Sequence, residues 1–310
     1  MAYPTDGILL IDKSKGETSY DVVRKIKTAF RGLKVAKFGH AGTLDPFATG
    51  LLIILVGQGT KLSPFIMAQH KRYLATVRLG IETDTLDPTG RIICERAVPN
   101  FSLEFIGNRI KGFSGKIEQV PPIYSAIKYK GTRAYKLARE GRAPTLNKRT
   151  VWIYSLVITS VKLPDVTMEV ECSSGTYMRS LASDLGKALG PGAHLRSLRR
   201  LRCGSFNVDD ALKSQEISTE NLEIIVNEKL IPLASALSDM PEIVVGNSIA
   251  EPVRHGRQLV LQSLVDDFDH APCEGEHFKL IGNGELVAVV KSKKSGRDGH
   301  VRLEISRVFV

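Results

Sequence analysis

Six apolar residues in a row, Leu51-Leu52-Ile53-Ile54-Leu55-Val56, closed by Gly50 and Gly57, constrain this chain more than any other stretch. Such a run reads as a strand buried on both faces, which needs structure packed above and below it. The twelve residues before it, Gly39-His40-Ala41-Gly42-Thr43-Leu44-Asp45-Pro46-Phe47-Ala48-Thr49-Gly50, carry three glycines and one proline. Glycine permits sharp turns and close approach of backbone to a ligand, while Pro46 stiffens the loop and biases Asp45 away from helical dihedrals. Asp45 is therefore an aimed carboxylate on a loop anchored to a buried strand, a support that can hold reacting groups in place.

The rest of the chain interleaves strands and helices. Residues 7–12 read as a second buried strand, and 72–79 as a half-exposed one. Thr18 or Ser19 caps a helix whose Val22, Val23, Ile26 and Phe30 recur at helical spacing. Asp87-Pro88-Thr89-Gly90 has the residues of a turn joining two strands. Val166, Met168, Val170 and Cys172 alternate with polar residues, the clearest period-two segment in the chain. Leu181, Leu185 and Leu189 then mark a helix over 176–189, so Gly175-Thr176-Tyr177-Met178-Arg179 sits at a strand-to-helix corner. After Leu237, short apolar pieces separated by polar or glycine-containing turns suit a small β-rich domain. The reading is an α+β protein with a mixed-sheet domain over 1–237 and a small β domain over 238–310.

Charge points toward a polyanion. Lys and Arg number 43 against 33 Asp and Glu, a formal +10, which favours an anionic partner without identifying one. Arg196, Arg199, Arg200 and Arg202 form one basic group; Lys25, Lys27, Arg31, Lys34 and Lys37 form another just before the Asp45 loop. Groups of this kind neutralise phosphates without reading sequence. The longest apolar run is far short of the roughly 20 residues a membrane helix needs, and the first residues lack the basic and apolar regions of a signal peptide. The four cysteines are scattered with no CxxC pair, and the seven histidines show no zinc-ligand spacing, so the expectation is reduced thiols, no metal and a cytoplasmic location.

The segment GHAGTLDPFATGLL resembles the active-site segment of the bacterial tRNA pseudouridine synthases of the TruB family. The likeness extends to Gly7–Lys13 with Gly16-Glu17-Thr18-Ser19, to Lys71-Arg72-Tyr73 and Arg78-Leu79-Gly80 with Thr83–Asp87, and to Gln119–Ala126 with Lys128 and Gly131. Ser174–Leu181 and Gly192–Arg200 complete it, in the family's order across roughly residues 7–202. Ser14 stands where proline is common and Pro191 where a small residue or cysteine is usual; both are turn positions away from the expected chemistry.

The resemblance implies a pseudouridine synthase catalytic domain followed by a PUA-like RNA-binding domain, acting on uridine-55 in the T loop of tRNA. It implies Asp45 as the catalytic residue and Arg179 as its ion-pair partner. Tyr73 would stack on the target base and take part in removing its C5 proton, and Tyr177 would contact the uracil. His40 would help occupy the space the extruded base leaves, and Leu198 would line the pocket. Lys13 is either structural or an RNA contact. The reaction moves uracil from nitrogen to carbon linkage on the same sugar, so no cofactor is expected, and none of the sequence carries a P-loop or a GxGxxG unit. It does need a base lifted from the stack and held while detached. Asp45 could attack the sugar, attack the base or remove a sugar proton. A retaining glycosidase would need a second nearby carboxylate; Asp84 and Asp87 can be nominated, but both fall in the apparent hairpin turn. A catalytically idle RNA scaffold is the alternative from another class, against which intact Asp45, Tyr73 and Arg179 argue. The expected partner is the tRNA T-arm stem-loop, with a monomeric chain, no membrane, and neither an obligatory protein partner nor a guide RNA.

Overall fold

The computed structural model describes residues 5–125, 127–142, 144–258, 272–294 and 301–310. In chain order the first strands and helices are β1 (Gly7–Lys13), α1 (Ser19–Ala29), β2 (Phe38–His40), β3 (Thr49–Val56), α2 (Ser63–Ala68), β4 (Lys71–Leu79), β5 (Ile81–Thr83) and β6 (Ile92–Glu95). Then come α3 (Leu103–Ile110), β7 (Gly115–Gln119), β8 (Lys128–Tyr129), β9 (Thr132–Arg133), α4 (Ala134–Arg139), β10 (Arg149–Lys162), β11 (Asp165–Cys172), α5 (Met178–Leu189) and β12 (Ala193–Cys203). The chain continues through β13 (Phe206–Asn207), β14 (Leu212–Lys213), α6 (Leu222–Ile224), β15 (Glu242–Val244), α7 (Asn247–Arg254), β16 (His277–Gly282), β17 (Glu285–Lys294) and β18 (Val301–Val308).

The main sheet runs β14-β1-β3-β12-β4-β11-β10-β7, with β2 on β3 and β13 on β12. It is mixed: β12 lies parallel to β3 and antiparallel to β4, and β14 is parallel to β1. Alternation along β3 explains the apolar run. Leu52, Ile54 and Val56 enter one core while Leu51, Ile53 and Leu55 enter a second on the opposite face. In the first core, β1, β3, β4, β11 and β12 pack against Val22, Val23 and Ile26 of α1, Ile106 and Ile110 of α3, and Leu181, Leu185 and Leu189 of α5. Thr18 caps α1 through a reciprocal capping box with Asp21, which satisfies two otherwise orphaned backbone groups.

The second core joins the small sheet, order β15-β16-β17-β18, to the large one: Ile281, Leu286, Val289 and Phe309 pack with Ile8, Leu10, Leu51 and Leu55. A third cluster lies inside the small unit, between α7 and β16 to β18. The C-terminal sheet is thus also a cover for half of the main sheet's outer face. Among the described residues, no helix is long and apolar enough to cross a membrane. The basic run beginning at Lys291 extends into 295–300, outside the described residues.

The other half of the outer face carries ion pairs instead of a cover. Ala75, Val77 and Leu79 of β4 enter the first core, so Arg72, Thr76 and Arg78 point the other way. There Arg72 pairs with Glu169, Arg78 with Asp165 at 3.4 Å, Arg196 with Asp165, Arg202 with Glu171 at 2.5 Å, and Arg199 with Asp12 at 2.8 Å. This changes the reading of the 196–202 arginines. Three of the four are held in cross-strand pairs with carboxylates, and the fourth, Arg200, is buried on the inner face. The 25–37 group differs: Lys27, Arg31, Lys34 and Lys37 are exposed, and Lys25 pairs with Glu17.

Gly50 sits where β3 and β12 meet. Its φ is +98°, and a Cβ there would stand 2.7 Å from the Arg200 backbone nitrogen and closer still to its carbonyl oxygen. Gly50→Ala is therefore expected to cost about 3 kcal/mol or more, read as a lower urea midpoint with unchanged slope.

Candidate active site

Asp45 is positioned by the anchors on either side of it. Leu44, Phe47 and Ala48 are buried in the first core. The Ser19 hydroxyl at the start of α1 donates to the Leu44 carbonyl at 3.2 Å and accepts from the Leu44 amide at 2.9 Å. The Pro46 carbonyl accepts from Gly16 N at 2.8 Å, and the Asp45 carbonyl from Ala48 N at 3.0 Å. The carboxylate so held keeps 34 % of its side-chain surface exposed. It is reachable, but much of its hydration is gone.

Arg179, in the first turn of α5, faces it from the strand-to-helix corner. The residue is 6 % exposed, and its guanidinium donates four hydrogen bonds and makes an ion pair through Nε. Nε lies 3.0 Å from Asp45 Oδ2, and Nη2 donates to Asp45 Oδ1 at 3.5 Å and to the Tyr124 carbonyl at 2.9 Å. Nη1 donates to the Thr85 carbonyl at 3.2 Å and to Asp87 Oδ2 at 3.4 Å. Arg179 therefore ties four separate segments together.

Asp87 is the site residue that the sequence reading set aside as part of a turn. The β5–β6 hairpin does turn there, but the structure folds Asp87 inward to 4 % exposure. Its Oδ1 accepts from Thr85 Oγ1 at 2.7 Å, Thr89 N at 2.9 Å and Thr89 Oγ1 at 2.5 Å. Leu195 N of β12 donates to the neighbouring Leu86 carbonyl at 3.0 Å, pinning the hairpin. The threonines two residues to either side of Asp87 were the available signal. Asp84, nominated beside it, instead pairs with Arg91 at the surface. Because Asp87 is saturated with donors, it is built to hold Arg179 rather than to trade protons as a second acid of a glycosidase.

Sharing one guanidinium between two carboxylates has an electrostatic result. The Asp45 pKa is raised above the ordinary Asp value: loss of hydration is the largest cause, Arg179 opposes it, Asp87 adds repulsion and Lys13 opposes more weakly. Burial thus outweighs the ion pair, and the repulsion from Asp87 works in the same direction as burial.

The remaining expected residues lie on β2, β4, β12 and at the start of α5. Tyr73 on β4 packs against the first core, and Leu198 on β12 lies within it. Burial pushes the Tyr73 phenol up to about 12 even with a hydrogen bond from Arg200, so the neutral phenol is the form present at pH 7. His40, at the end of β2, has its pKa lowered by burial and by Arg200, leaving a neutral imidazole. Tyr177 stands at the N-terminus of α5. Its backbone is clamped by Gln119, which accepts from Tyr177 N at 2.8 Å and donates to the Tyr177 carbonyl at 3.0 Å. Lys13 is fully buried, donating to the Glu17 and Ser14 carbonyls at 2.8 and 3.0 Å, and desolvation lowers it to about 8. Of its two sequence readings, the structural one fits.

Arg200 was grouped with surface cations, but it is 2 % exposed and belongs to the site's frame. It donates through Nε to the Leu51 carbonyl at 2.6 Å and through Nη2 to the Gly42 carbonyl at 3.0 Å. Opposite Tyr73 in the β4–β12 register, it joins the Asp45 loop, β3 and Tyr73. Two surface clefts, of about 350 and 550 Å³, lie away from Asp45, near Arg96 and Gln69 respectively.

Residues 30–178 match the family described as TruB family pseudouridylate synthase (N terminal domain), and residues 179–241 the tRNA pseudouridylate synthase B C-terminal domain. The chain is 40% identical over 308 residues to tRNA pseudouridine synthase B of Thermosipho melanesiensis, covering 98% of this chain and 96% of that protein. It is 40% identical over 287 residues to the protein of the same name from Syntrophus aciditrophicus, covering 92% and 91%. A chain in the crystal structure of a Cbf5-Nop10-Gar1 complex superposes with a TM-score of 0.74 and 25% identity, over 99% of this chain and 85% of that one.

The shared guanidinium makes a signed expectation. Removing a like charge in Asp87→Asn lowers the Asp45 pKa, whereas removing the cation in Arg179→Gln raises it further. Carboxyl carbon NMR titration of the native protein and the two variants measures this; the native Asp45 resonance should titrate above the range of an exposed Asp.

Proposed function

Because the chain belongs to the TruB family of pseudouridylate synthases, we propose that it converts uridine-55 in the T loop of tRNA to pseudouridine, with Asp45 as the catalytic residue. The observation that carries this reading is the Asp45 carboxylate, reachable from solvent and held 3.0 Å from the Arg179 guanidinium on a loop with little freedom to move. The relatives named as tRNA pseudouridine synthase B, matched over nearly their whole length, support tRNA as the substrate.

The reaction breaks the bond from uracil N1 to C1′, forms one from C5 to C1′, and moves the C5 proton out as N1 gains one. No atom is lost, and no redox step or cofactor is required. The target uridine is extruded from the T loop, which costs a few kcal/mol of unstacking. Tyr73 and Leu198 then enclose the base, Tyr177 contacts it, and His40 helps fill the space it vacates in the RNA. Asp45 acts ionised, on the sugar or on the base, while Arg179 orients it and balances its charge. A neutral phenol is a weak base, so Tyr73 takes the C5 proton only as its own hydroxyl proton leaves toward the N1 that gains one, which keeps the phenol neutral and the protons balanced.

The exposed Lys27, Arg31, Lys34 and Lys37 ahead of the loop offer phosphate contacts, and residues 238–310 form a PUA-like RNA-binding unit after a catalytic unit of 1–237. The enzyme works in the cytoplasm as a monomer, without a guide RNA or a protein partner.

Single-turnover conversion of a T-arm stem-loop RNA tests this. Asp45→Asn should reduce the rate by about 10³-fold or more while binding that RNA with near-native affinity. Equal rates for the two proteins would remove Asp45 from the chemistry.

A further inference from the structure

Among the described residues, four buried side-chain nitrogen or oxygen atoms have no hydrogen-bond partner: His40 Nδ1, Gln69 Oε1, Ser125 Oγ and Arg149 Nε. Such atoms are uncommon, because each has given up hydration with nothing in return. Three of the four lie on segments that build the Asp45 site. His40 leads into the Asp45 loop, Ser125 follows the Tyr124 whose carbonyl takes Arg179, and Arg149 lies against Tyr177. Unmet hydrogen-bonding capacity on these segments is what a polar ligand would satisfy.

Resting on the RNA-modifying function proposed above, we infer that Arg149 is a substrate-binding residue that takes a phosphate of the RNA backbone next to the target uridine. Arg149 opens β10 and is the register partner of Gln119, the residue that clamps the Tyr177 backbone. Its guanidinium carbon lies 5.6 Å from the centre of the Tyr177 ring. A guanidinium over an aromatic ring is drawn to the ring's negative face, and a guanidinium's N–H groups are well suited to donating to phosphate. Its charge is also unanswered. Arg142 pairs with Glu140 and Lys148 with Glu118, whereas no carboxylate among the described residues pairs with Arg149. A half-buried cation without a counter-ion is costly in the free protein, and a phosphodiester would supply both the missing charge and the missing acceptor.

The test is binding of a T-arm stem-loop RNA over a range of KCl concentrations, with native RNA and with RNAs carrying a neutral methylphosphonate in place of the phosphate on the 5′ or the 3′ side of the target uridine. Arg149→Ala should bind native RNA ten- to a hundredfold more weakly, with a salt slope shallower by about 0.7–0.9. Arg149→Lys should keep the slope and lose only part of the affinity. One of the two methylphosphonates should weaken the native protein by a similar factor yet leave Arg149→Ala unchanged, a coupling that a merely structural arginine would not give. Native protein indifferent to both methylphosphonates would overturn the assignment without recourse to any variant. Conversion of uridine with no such coupling overturns the Arg149 role and leaves the function standing; coupling without conversion supports Arg149 and overturns the proposed reaction.

Discussion

The site depends on how one guanidinium distributes its donors. Arg179 reaches the Asp45 loop, the Thr85–Asp87 turn, the Tyr124 carbonyl and, through its own helix, the corner that presents Tyr177. Its five N–H groups are fixed in a plane, so the four segments can meet it only in one mutual arrangement. Lysine could hold the charge but not the geometry. A buried ion group of this kind contributes little net stability once dehydration is counted; what it fixes is position. Asp87 completes the device by binding the same cation from behind, which anchors Arg179 while leaving Asp45 less stabilised as an anion than a private partner would.

The main sheet solves a different problem on each face. Its inner face is packed with helices and carries the site. Half of the outer face is covered by the C-terminal sheet, whose Ile281, Leu286, Val289 and Phe309 complete the second core. The remainder carries ion pairs between strands: Arg72 and Arg78 of β4 meet Glu169 and Asp165 on the neighbouring β11, while Arg196 and Arg202 of β12 reach across β4 to Asp165 and Glu171. Cross-strand pairs of this sort contribute modestly one at a time, but they let a wide sheet face water without an apolar surface.

Local patterns made much of this legible in the sequence. The α+β class, the buried β3, the alternating β11, the capped α1 and the corner before α5 all follow from periodicity and turn residues. The meeting of Asp45 with Arg179 came from family likeness, since 134 residues of chain separate them and no spacing rule links them. Arg200 was misread because a charge run has no visible parity. Irregular pairing between Leu195 and Ser197 and between Arg200 and Arg202 shifts the alternation of β12, sending Arg200 inward and Arg199 and Arg202 outward. Asp87 was missed for a related reason. A turn sequence gives its local shape but not whether the tip folds onto solvent or, as here, onto the edge of β12.

The place of β12 in the sheet has a consequence for how the molecule is made. This strand comes from residues 193–203, yet it lies between β3 and β4, which come from residues 49–79. During synthesis on the ribosome the first two-thirds of the chain must wait with two unpaired strand edges, and long-range pairings of this kind close slowly. Asp45 and Tyr73 are translated early, but the strand that joins them arrives late. A nascent chain therefore carries both residues long before the strand between them is in place, and unpaired strand edges of that kind favour aggregation while they last.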